Sequence, residues 1–198
     1  MIVDATLLRL FYDPVGWADP AWLGNFGIDA RWPRRLCNSL LLRRAGVRAV
    51  TRADLACAGA GWLSENWDAL PVVAYLAGAR LLRNGLLSGN ALLRLRHGAQ
   101  RFVTLPLADE PWARPGSRPG SAEDPHRDLH ERVLTAGAHC LQIAWPALTP
   151  GWLDRLRLRL PPELEATPSA EPGGGLPASA GCLRLLNHAV TFHHAQNH

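Results

Sequence analysis

The sequence predicts a mainly α-helical fold, namely a single compact helical domain with a short β element near residues 155–160. Apolar residues recur at helical spacing through the longest uninterrupted stretch, residues 70–107, which predicts helices there. Leucine and arginine alternate strictly from Arg155 to Leu160, which predicts one short strand with an apolar face and an arginine face. A chain of 198 residues that is 47% hydrophobic and 19% charged can also bury a full core.

The N-terminal segment predicts one short element, an irregular aromatic stretch and a helix. Residues 6–12 fit either a strand or a short helix, and Asp13–Pro14 interrupts them. Tryptophans then alternate with prolines up to Trp22, a pattern that more often pins an irregular segment to the core than forms an exposed recognition surface. The next helix begins at Trp32–Pro33 and ends at Gly46; the leucines expected to face inward are Leu36, Leu40 and Leu41.

Residues 70–107 predict two consecutive helices with a basic polar surface. Pro71 suits the first turn of the first helix, and Asn84–Gly85 is a favourable place for it to end. Ser88 can cap the second helix, whose apolar stripe ends with Phe102. This stretch contains five arginines and no carboxylate, so its polar surface requires an acidic neighbour, either within the chain or on another molecule.

The second half of the chain predicts an exposed loop, one long helix and a short C-terminal helix. Residues 108–127 are rich in Pro, Gly and Ser, which predicts the loop. Asp124–Pro125 can start the long helix, which ends before Pro146; its inward positions are Leu129, Val133, Ala136, Cys140 and Ile143. We expect residues 1–165 to form the helical domain, and residues 166–198 to form a Pro/Gly-rich linker with a short helix from Cys182 to His194.

The charge pattern leaves a nucleic-acid interface as an alternative function. All 21 basic residues are arginine, which a GC-rich coding sequence is sufficient to explain. Seven of them nevertheless lie between residues 31 and 52 without an intervening carboxylate, and the run LLRRAGVRAVTRADLA faintly resembles a helix–hairpin–helix element. That element normally carries two glycines, whereas only Gly46 is present here. A nucleic-acid-binding helical protein is therefore the alternative, while a solvated or protein-facing surface is the simpler interpretation.

The sequence contains no recognisable motif for catalysis or for a bound cofactor. The four cysteines are far apart, without a CxxC pair, and are typical of reduced core residues. His126 and His130 are four residues apart and could share a metal ion in a metal-dependent enzyme, but no HExxH arrangement accompanies them. Nucleotide-binding and nucleophile-elbow motifs are absent, as are a signal peptide and an apolar run that could span a membrane. We therefore expect a cytosolic protein that is not an enzyme and has no cofactor or metal.

Three segments of the chain share their order and spacing with a known protein family. They are LLRLFYDPVGWADPAWL near the N-terminus, LAGARLLRNGLLSGNALLRL in the centre, and PGWLDRLRLRLP, which begins at Pro150. With these segments the chain resembles the SctK family, the cytosolic accessory proteins of type III secretion sorting platforms. The resemblance spans residues 6–161, and its most specific part is the last segment.

The resemblance implies a structural adaptor at the cytosolic face of the inner membrane. SctK proteins connect the cytoplasmic domain of the inner-membrane ring protein to the sorting-platform pod protein and the ATPase assembly, and they serve protein secretion without catalysis. The implied partners are therefore the ring domain and the pod protein. We expect no small-molecule substrate, no nucleic acid, and a link to the membrane only through the secretion apparatus.

We expect the partner contacts to use two arginine-bearing surfaces. Tryptophan and arginine are enriched at binding hot spots, and a basic surface fits an acidic partner. The candidates on the predicted strand and just before it are Trp152, Arg155, Arg157 and Arg159, and those on the central helices are Arg80, Arg83, Arg94 and Arg101. The alternative is that these arginines pair within the chain, with Asp109, Glu110, Glu123 and Asp128.

Overall fold

The structure of the protein is a computed structural model that describes residues 5–87, 90–107, 128–166 and 179–196. Within these ranges every regular element is a helix, which confirms the mainly α prediction. The α-helices in chain order are α1 (Ala5–Tyr12), α2 (Ala21–Asn25), α3 (Arg34–Arg44), α4 (Arg52–Leu55), α5 (Ala60–Asn66), α6 (Leu70–Leu81), α7 (Arg83–Leu87), α8 (His97–Thr104), α9 (Leu129–Ala144), α10 (Pro150–Arg159) and α11 (Ser179–Gln196). Short 3-10 helices lie at Pro14–Gly16, Ala91–Arg94 and Pro162–Ala166.

The chain divides into two compact units. Unit 1 consists of Met1–Leu70 with Ala147–Ala166, and unit 2 consists of Pro71–Pro146 with Thr167–His198. The predicted division into residues 1–165 and 166–198 differs from these units and stays a prediction. The predicted exposed loop at 108–127 and most of the predicted linker lie outside the described residues.

The core of unit 1 is built around aromatic side chains. Trp17 and Trp67 meet edge to face with their ring centroids 5.1 Å apart, and Trp67 lies 5.9 Å from Trp152. Trp22 is buried and its indole N–H donates to the carbonyl of Leu160 at 2.9 Å. The tryptophans between the N-terminal prolines are therefore pinned to the core, as predicted, because each ring finds an apolar partner and each polar edge finds an acceptor.

Two N-terminal predictions are settled by the register of the helices. Residues 6–12 belong to helix α1 rather than to a strand. In α3 the buried side chains are Cys37 and Leu41, whereas Leu36, which we expected to face inward, is 46% exposed. Residues 37 and 41 are one helical turn apart and Leu36 lies about 100° away from Cys37 around the helix axis, so only one of these positions can face the core.

The predicted strand near residues 155–160 is wrong, because residues 150–159 form helix α10. Pro150 occupies the first helical position after Thr149. The strand prediction assumed that the arginines face solvent while the leucines face the core. In the structure Arg155 is buried together with Leu156 and Leu158, so the alternation does not separate an inner face from an outer face.

The core of unit 2 is centred on α6, in which every residue from Val73 to Arg80 is buried. Val72, which comes directly before this run, is 37% exposed. The predicted stop at Asn84–Gly85 is also wrong, since α7 passes through both residues. A turn at Leu82 separates α6 from α7, and backbone hydrogen bonds from Leu82 N to Gly78 O and from Leu86 N to Leu82 O, both 3.0 Å, carry the helical path across it.

The second predicted central helix is interrupted. A 3-10 helix ends at Arg94, Leu95 and Arg96 are extended, and α8 begins at His97; Ser88, the predicted cap, lies outside the described residues. The Gln100 side-chain amide donates to the carbonyls of Leu93 and Leu95 at 3.2 and 2.8 Å. These bonds satisfy carbonyls that a continuous helix would have used, and so they stabilise the break.

Helices α9 and α11 agree with the sequence prediction and pack against each other. Helix α9 ends before Pro146 as predicted, while its predicted start at Asp124–Pro125 lies outside the described residues. Of the five expected inward positions Leu129, Val133 and Cys140 are buried, and Ala136 and Ile143 are half-buried. Helix α11 extends beyond the predicted Cys182–His194 at both ends.

Candidate functional site: arginines at helix ends

Arginine side chains bind the C-terminal ends of several helices, and four of the eight predicted site residues take part. The last carbonyls of an α-helix have no partner within the helix and carry the negative end of its dipole. A guanidinium group offers five donors and a permanent positive charge, so it suits this position. The arginines of α10 and Arg80 of α6 occupy such positions.

Trp152 is fully buried on α10. Its indole N–H donates to the carbonyl of Asp54 at 2.8 Å, and its ring lies 5.1 Å from that of Phe11. These contacts connect α10 to α1 and α4 within unit 1. Trp152 therefore serves the core of unit 1.

Arg155 is 2% exposed and connects α10 to α1. Its guanidinium donates to Gly151 O at 2.8 Å and to Phe11 O, in the last turn of α1, at 3.3 Å. The same group lies over the Phe11 ring, 4.6 Å from its centroid. Burial lowers the pKa of Arg155, whereas the carboxylates of Asp54 and Asp154 raise it, and the net shift is downward.

Arg157 and Arg159 extend the same arrangement to two further helices. Arg157 donates to the carbonyl of Ala45, the residue that ends α3. Arg159 donates to Trp67 O at 3.2 Å and to Asp68 O at 2.8 Å, immediately after α5. Both arginines are half-buried. One helix thus supplies the donors for the C-terminal ends of α1, α3 and α5.

A buried carboxylate, Asp54, joins α4 to the start of α10. Asp54 is 2% exposed and accepts from the Thr51 backbone N–H at 2.6 Å and from the Thr51 hydroxyl at 2.7 Å, in a capping box. The Thr149 hydroxyl also donates to it. Burial raises the pKa of Asp54, but the hydrogen bonds from Thr149 and Thr51 and the charge of Arg155 outweigh burial, so the net pKa is lowered.

Arg80 of unit 2 repeats the arrangement at the end of α8. It is 2% exposed, and its guanidinium donates to Phe102 O at 3.2 Å and to Val103 O. Burial, with a contribution from the charge of Arg83, lowers the pKa of Arg80 to about 10. Arg83 itself is half-buried on α7. Arg80 thus binds the C-terminal end of α8, the helix that contains Arg101.

Arg94 and Arg101 are the exposed members of the predicted set. Arg94 ends a 3-10 helix and Arg101 lies in α8. Neither side chain makes a hydrogen bond or an ion pair with any part of the chain that the structure describes. The structure thus places Trp152, Arg155, Arg157 and Arg159 together on α10 in unit 1, and the other four candidates in unit 2.

The arginines of residues 31–52, the alternative nucleic-acid segment, are largely committed to internal contacts. Arg31 pairs with Asp29 at 2.7 Å, Arg34 with Asp13 at 2.6 Å and Arg48 with Asp154 at 3.2 Å, while Arg44 donates to Phe26 O at the end of α2. No pattern within the segment indicates these pairs, because each acidic partner lies outside it. All seven arginines are exposed, and the side chains of three of them, Arg35, Arg43 and Arg52, make no such contact with the described residues.

The metal alternative finds no further ligand in the described ranges. His130 Nδ1 lies 2.5 Å from the Tyr75 hydroxyl, while His126 is outside those ranges. Among residues 5–87, 90–107, 128–166 and 179–196 there is no cluster of three His, Cys, Asp or Glu side chains that could hold an ion. In the same ranges no helix is both long and apolar enough to cross a membrane.

These features define a helical protein whose arginines donate to the C-terminal ends of its own helices. The chain belongs to the bacterial type III secretion apparatus protein family (OrgA_MxiK), whose family model matches residues 7–197. The predicted resemblance to SctK proteins is thereby confirmed, and it extends past residue 161 to the C-terminal helix. No curated protein and no solved structure matches the chain significantly. Membership agrees with the predicted role in secretion and with partners inside the secretion machinery.

Proposed function

We propose that this protein is a cytosolic, non-catalytic adaptor of a type III secretion sorting platform. It links the cytoplasmic domain of the inner-membrane ring protein to the pod protein and, through it, to the ATPase assembly. The observation that carries the proposal is the family match, which covers nearly the whole chain, from residue 7 to residue 197. The proposal places the protein at the cytosolic face of the inner membrane, bound there through its partners.

Arg94 and Arg101 are the predicted site residues best suited to meet a partner. Both are exposed, and neither has an ion-pair partner among the described residues. Exposed arginines without internal partners can pair with acidic groups of another protein and raise the rate of association. Five other predicted residues support the contact surfaces from within, since their polar groups donate to backbone carbonyls of the chain. They are Trp152, Arg155, Arg157, Arg159 and Arg80. Arg83 stays a candidate contact residue.

The proposal is tested by binding to purified partners across a salt series. The full-length protein is titrated with the ring protein's cytoplasmic domain and, separately, with the pod protein, from about 50 to 500 mM salt. We expect saturable binding to both, weakened by salt because charged groups lie in the contact. Binding to neither partner by protein with an intact thermal unfolding transition would contradict the adaptor function.

Charge reversal then locates the contact. Arg94→Glu and Arg101→Glu are compared with Arg184→Glu, which makes the same charge change at an exposed position of α11. We expect the first two variants to weaken at least one partner by about tenfold, since reversing a contact charge replaces attraction with repulsion. The affinity of the control variant for each partner should stay within about twofold of the wild-type value. Equal effects of all three variants would remove Arg94 and Arg101 from the interface.

A further inference from the structure

We propose that the outer face of α3 binds an acidic, amphipathic segment of a partner protein. This surface, called the α3 face, consists of Trp32, Arg35, Leu36, Ser39 and Arg43, all of which are exposed. It lies in unit 1 and includes none of the residues predicted from the sequence as contacts. It deepens the adaptor function proposed above and rests on that function only for the identity of the partner.

The α3 face carries two large apolar side chains on its solvent side. Trp32 is 40% exposed and Leu36 is 46% exposed, whereas Cys37 and Leu41, which face the core from α3, are buried. Leu36, Ser39 and Arg43 follow one another within α3 at spacings of three and four, which places them along one stripe, and Trp32 lies just before the helix, next to its N-cap Pro33. An exposed tryptophan just ahead of a helix whose first turn carries an exposed leucine presents the kind of apolar anchor that a facing helix can bury.

The charge of the α3 face has no counterpart inside the described chain. The carboxylates that approach this segment are Asp13, Asp29 and Asp154, and each is already paired, with Arg34, Arg31 and Arg48. The side chains of Arg35 and Arg43 make no hydrogen bond or ion pair with the described residues. The positive charge beside the two apolar side chains therefore favours carboxylates supplied by another molecule.

Charge and apolar content together select the class of partner. A second copy of this chain would bring Arg35 and Arg43 against their own equivalents, and like charges at an interface are unfavourable. Nucleic acid would need many phosphate contacts, but four of the seven arginines in residues 31–52 are already engaged internally. An acidic helix with leucines on one side satisfies both the exposed apolar side chains and the arginines.

The first test uses NMR on the full-length protein with synthetic peptides as probes. The indole N–H signal of Trp32 is identified by its loss in Trp32→Phe. The probe is a helix-forming peptide of about 14 residues with leucine on one face and glutamate on the other; its twin carries lysine in place of glutamate. We expect the acidic peptide to shift the Trp32 signal saturably and the basic twin to leave it unchanged.

Matched variants show whether the α3 face is the binding surface. Arg43→Glu is compared with Arg184→Glu, and Leu36→Ala with Leu153→Ala, because Leu153 is similarly exposed at 39% on α10. We expect Arg43→Glu and Leu36→Ala each to weaken the acidic peptide at least about fivefold, with the controls within about twofold. The proposal would be overturned if the acidic peptide does not shift the Trp32 signal, or if the variants and their controls lose equal affinity for the peptide. The exception is a contact on the α3 face that the titrations with the ring domain and the pod protein locate.

The same variants are carried through the ring-domain and pod-protein titrations, which separates the two proposals. If the acidic peptide binds the α3 face but neither partner binds, the surface stands and the adaptor function fails. If a partner binds wild type, Arg43→Glu and Leu36→Ala equally well and the peptide does not bind, the adaptor function stands and the surface is wrong. Loss of partner binding in Arg43→Glu and Leu36→Ala, but not in their control variants, supports the surface. Duplex DNA of about 20 bp that displaces the peptide at low salt would instead assign the face to nucleic acid.

Discussion

At the scale of single residues, buried or half-buried guanidinium groups donate hydrogen bonds to carbonyls at helix C-terminal ends, where water is the usual donor in most helices. Arg155, Arg159 and Arg80 each donate to backbone carbonyls near the C-terminal end of another helix. A carbonyl that is buried without a partner loses the hydrogen bonds it makes to water when the chain is unfolded. The arginines therefore stabilise the fold mainly by satisfying these carbonyls, and only secondarily by pairing with carboxylates.

We predict that Arg155→Ala destabilises the protein by at least about 2 kcal/mol. The change removes donors to Gly151 O and Phe11 O and leaves both carbonyls inside unit 1. The control is Arg94→Ala, which removes an exposed side chain and should change the free energy of unfolding by less than about 0.5 kcal/mol. Urea unfolding of both variants measures the difference. Similar losses in the two would show that the carbonyl contacts contribute little.

We predict that Asp54→Asn costs about 1–3 kcal/mol near neutral pH and progressively less in acid. The pKa of Asp54 is lowered from its ordinary value of 3.8, so its charged form stabilises the fold above that value and the stabilisation is lost as the pH falls through the lowered pKa. Urea unfolding at about pH 7 and about pH 3 measures the change.

The control for Asp54 is Asp68→Asn. Asp68 pairs with Arg9 at 2.8 Å, but its side chain is 71% exposed, so solvent screens the pair and the loss should stay below about 0.5 kcal/mol. If the loss of stability in Asp54→Asn does not change between the two pH values, the shape of the Asp54 side chain, rather than its charge, stabilises the contact between α4 and α10.

At the scale of helices, α6 and α9 approach so closely that only glycine fits at the crossing. A Cβ atom on Gly78 would lie 1.9 Å from Val133 O, and one on Gly137 would lie 1.9 Å from Ala74 O. Both obstacles are backbone atoms, which cannot move aside as a side chain can. The close crossing lets unit 2 bury the whole of α6 from Val73 to Arg80.

We predict that Gly78→Ala and Gly137→Ala each destabilise the protein by about 2 kcal/mol or more, because the helices must separate to admit the methyl group. Gly85→Ala is the matched control: it is also a helical glycine, but nothing lies within 4 Å of its added Cβ. Alanine is the better helix former by about 1 kcal/mol, so this variant should be slightly more stable. Thermal unfolding compares all three, and stabilisation by Gly78→Ala would refute the close crossing.

Helix α10 shows why the alternation of leucine and arginine, although present in the sequence, predicted a strand where the structure has a helix. Leucine and arginine do alternate from Arg155 to Leu160, and such alternation normally separates a buried face from a solvated one. The assumption failed at Arg155, whose charge is satisfied inside the protein by the carbonyls of other segments. Local signals for a helix were present in Thr149–Pro150, and they determined the start of α10.

At the scale of the whole molecule, the cysteines report on the integrity of both units. Cys37 in unit 1, and Cys140 and Cys182 in unit 2, are buried, whereas Cys57 is half-buried. We predict that about one thiol reacts quickly with a disulfide reagent in the native protein and that all four react in denaturant. Cys57→Ser should abolish the fast reaction. Rapid reaction of several thiols in the native protein would show that at least one unit opens readily.

The candidate site could be predicted from sequence only in part. The motifs of three segments and their order indicated the family, and exposed Arg94 and Arg101 were among the predicted contacts. Arg155 and Arg80 were predicted on the same reasoning, yet both are buried, because their acceptors are backbone carbonyls that no sequence pattern marks. Leu36 was missed as a surface residue because both Leu36 and Cys37 are compatible with a core position in an isolated helix.

The sequence by itself determined the helical class, the approximate extents of α3, α9 and α11, and the membership of a type III secretion apparatus family. Those properties depend on helical spacing, on Pro and Gly at helix ends, and on motif order, all of which are local. Only the tertiary structure decided which arginines are internal and which face solvent. A guanidinium group is stable in either place, provided that donors and charge are satisfied, and its acceptors come from segments as distant along the chain as Phe11 and Arg155.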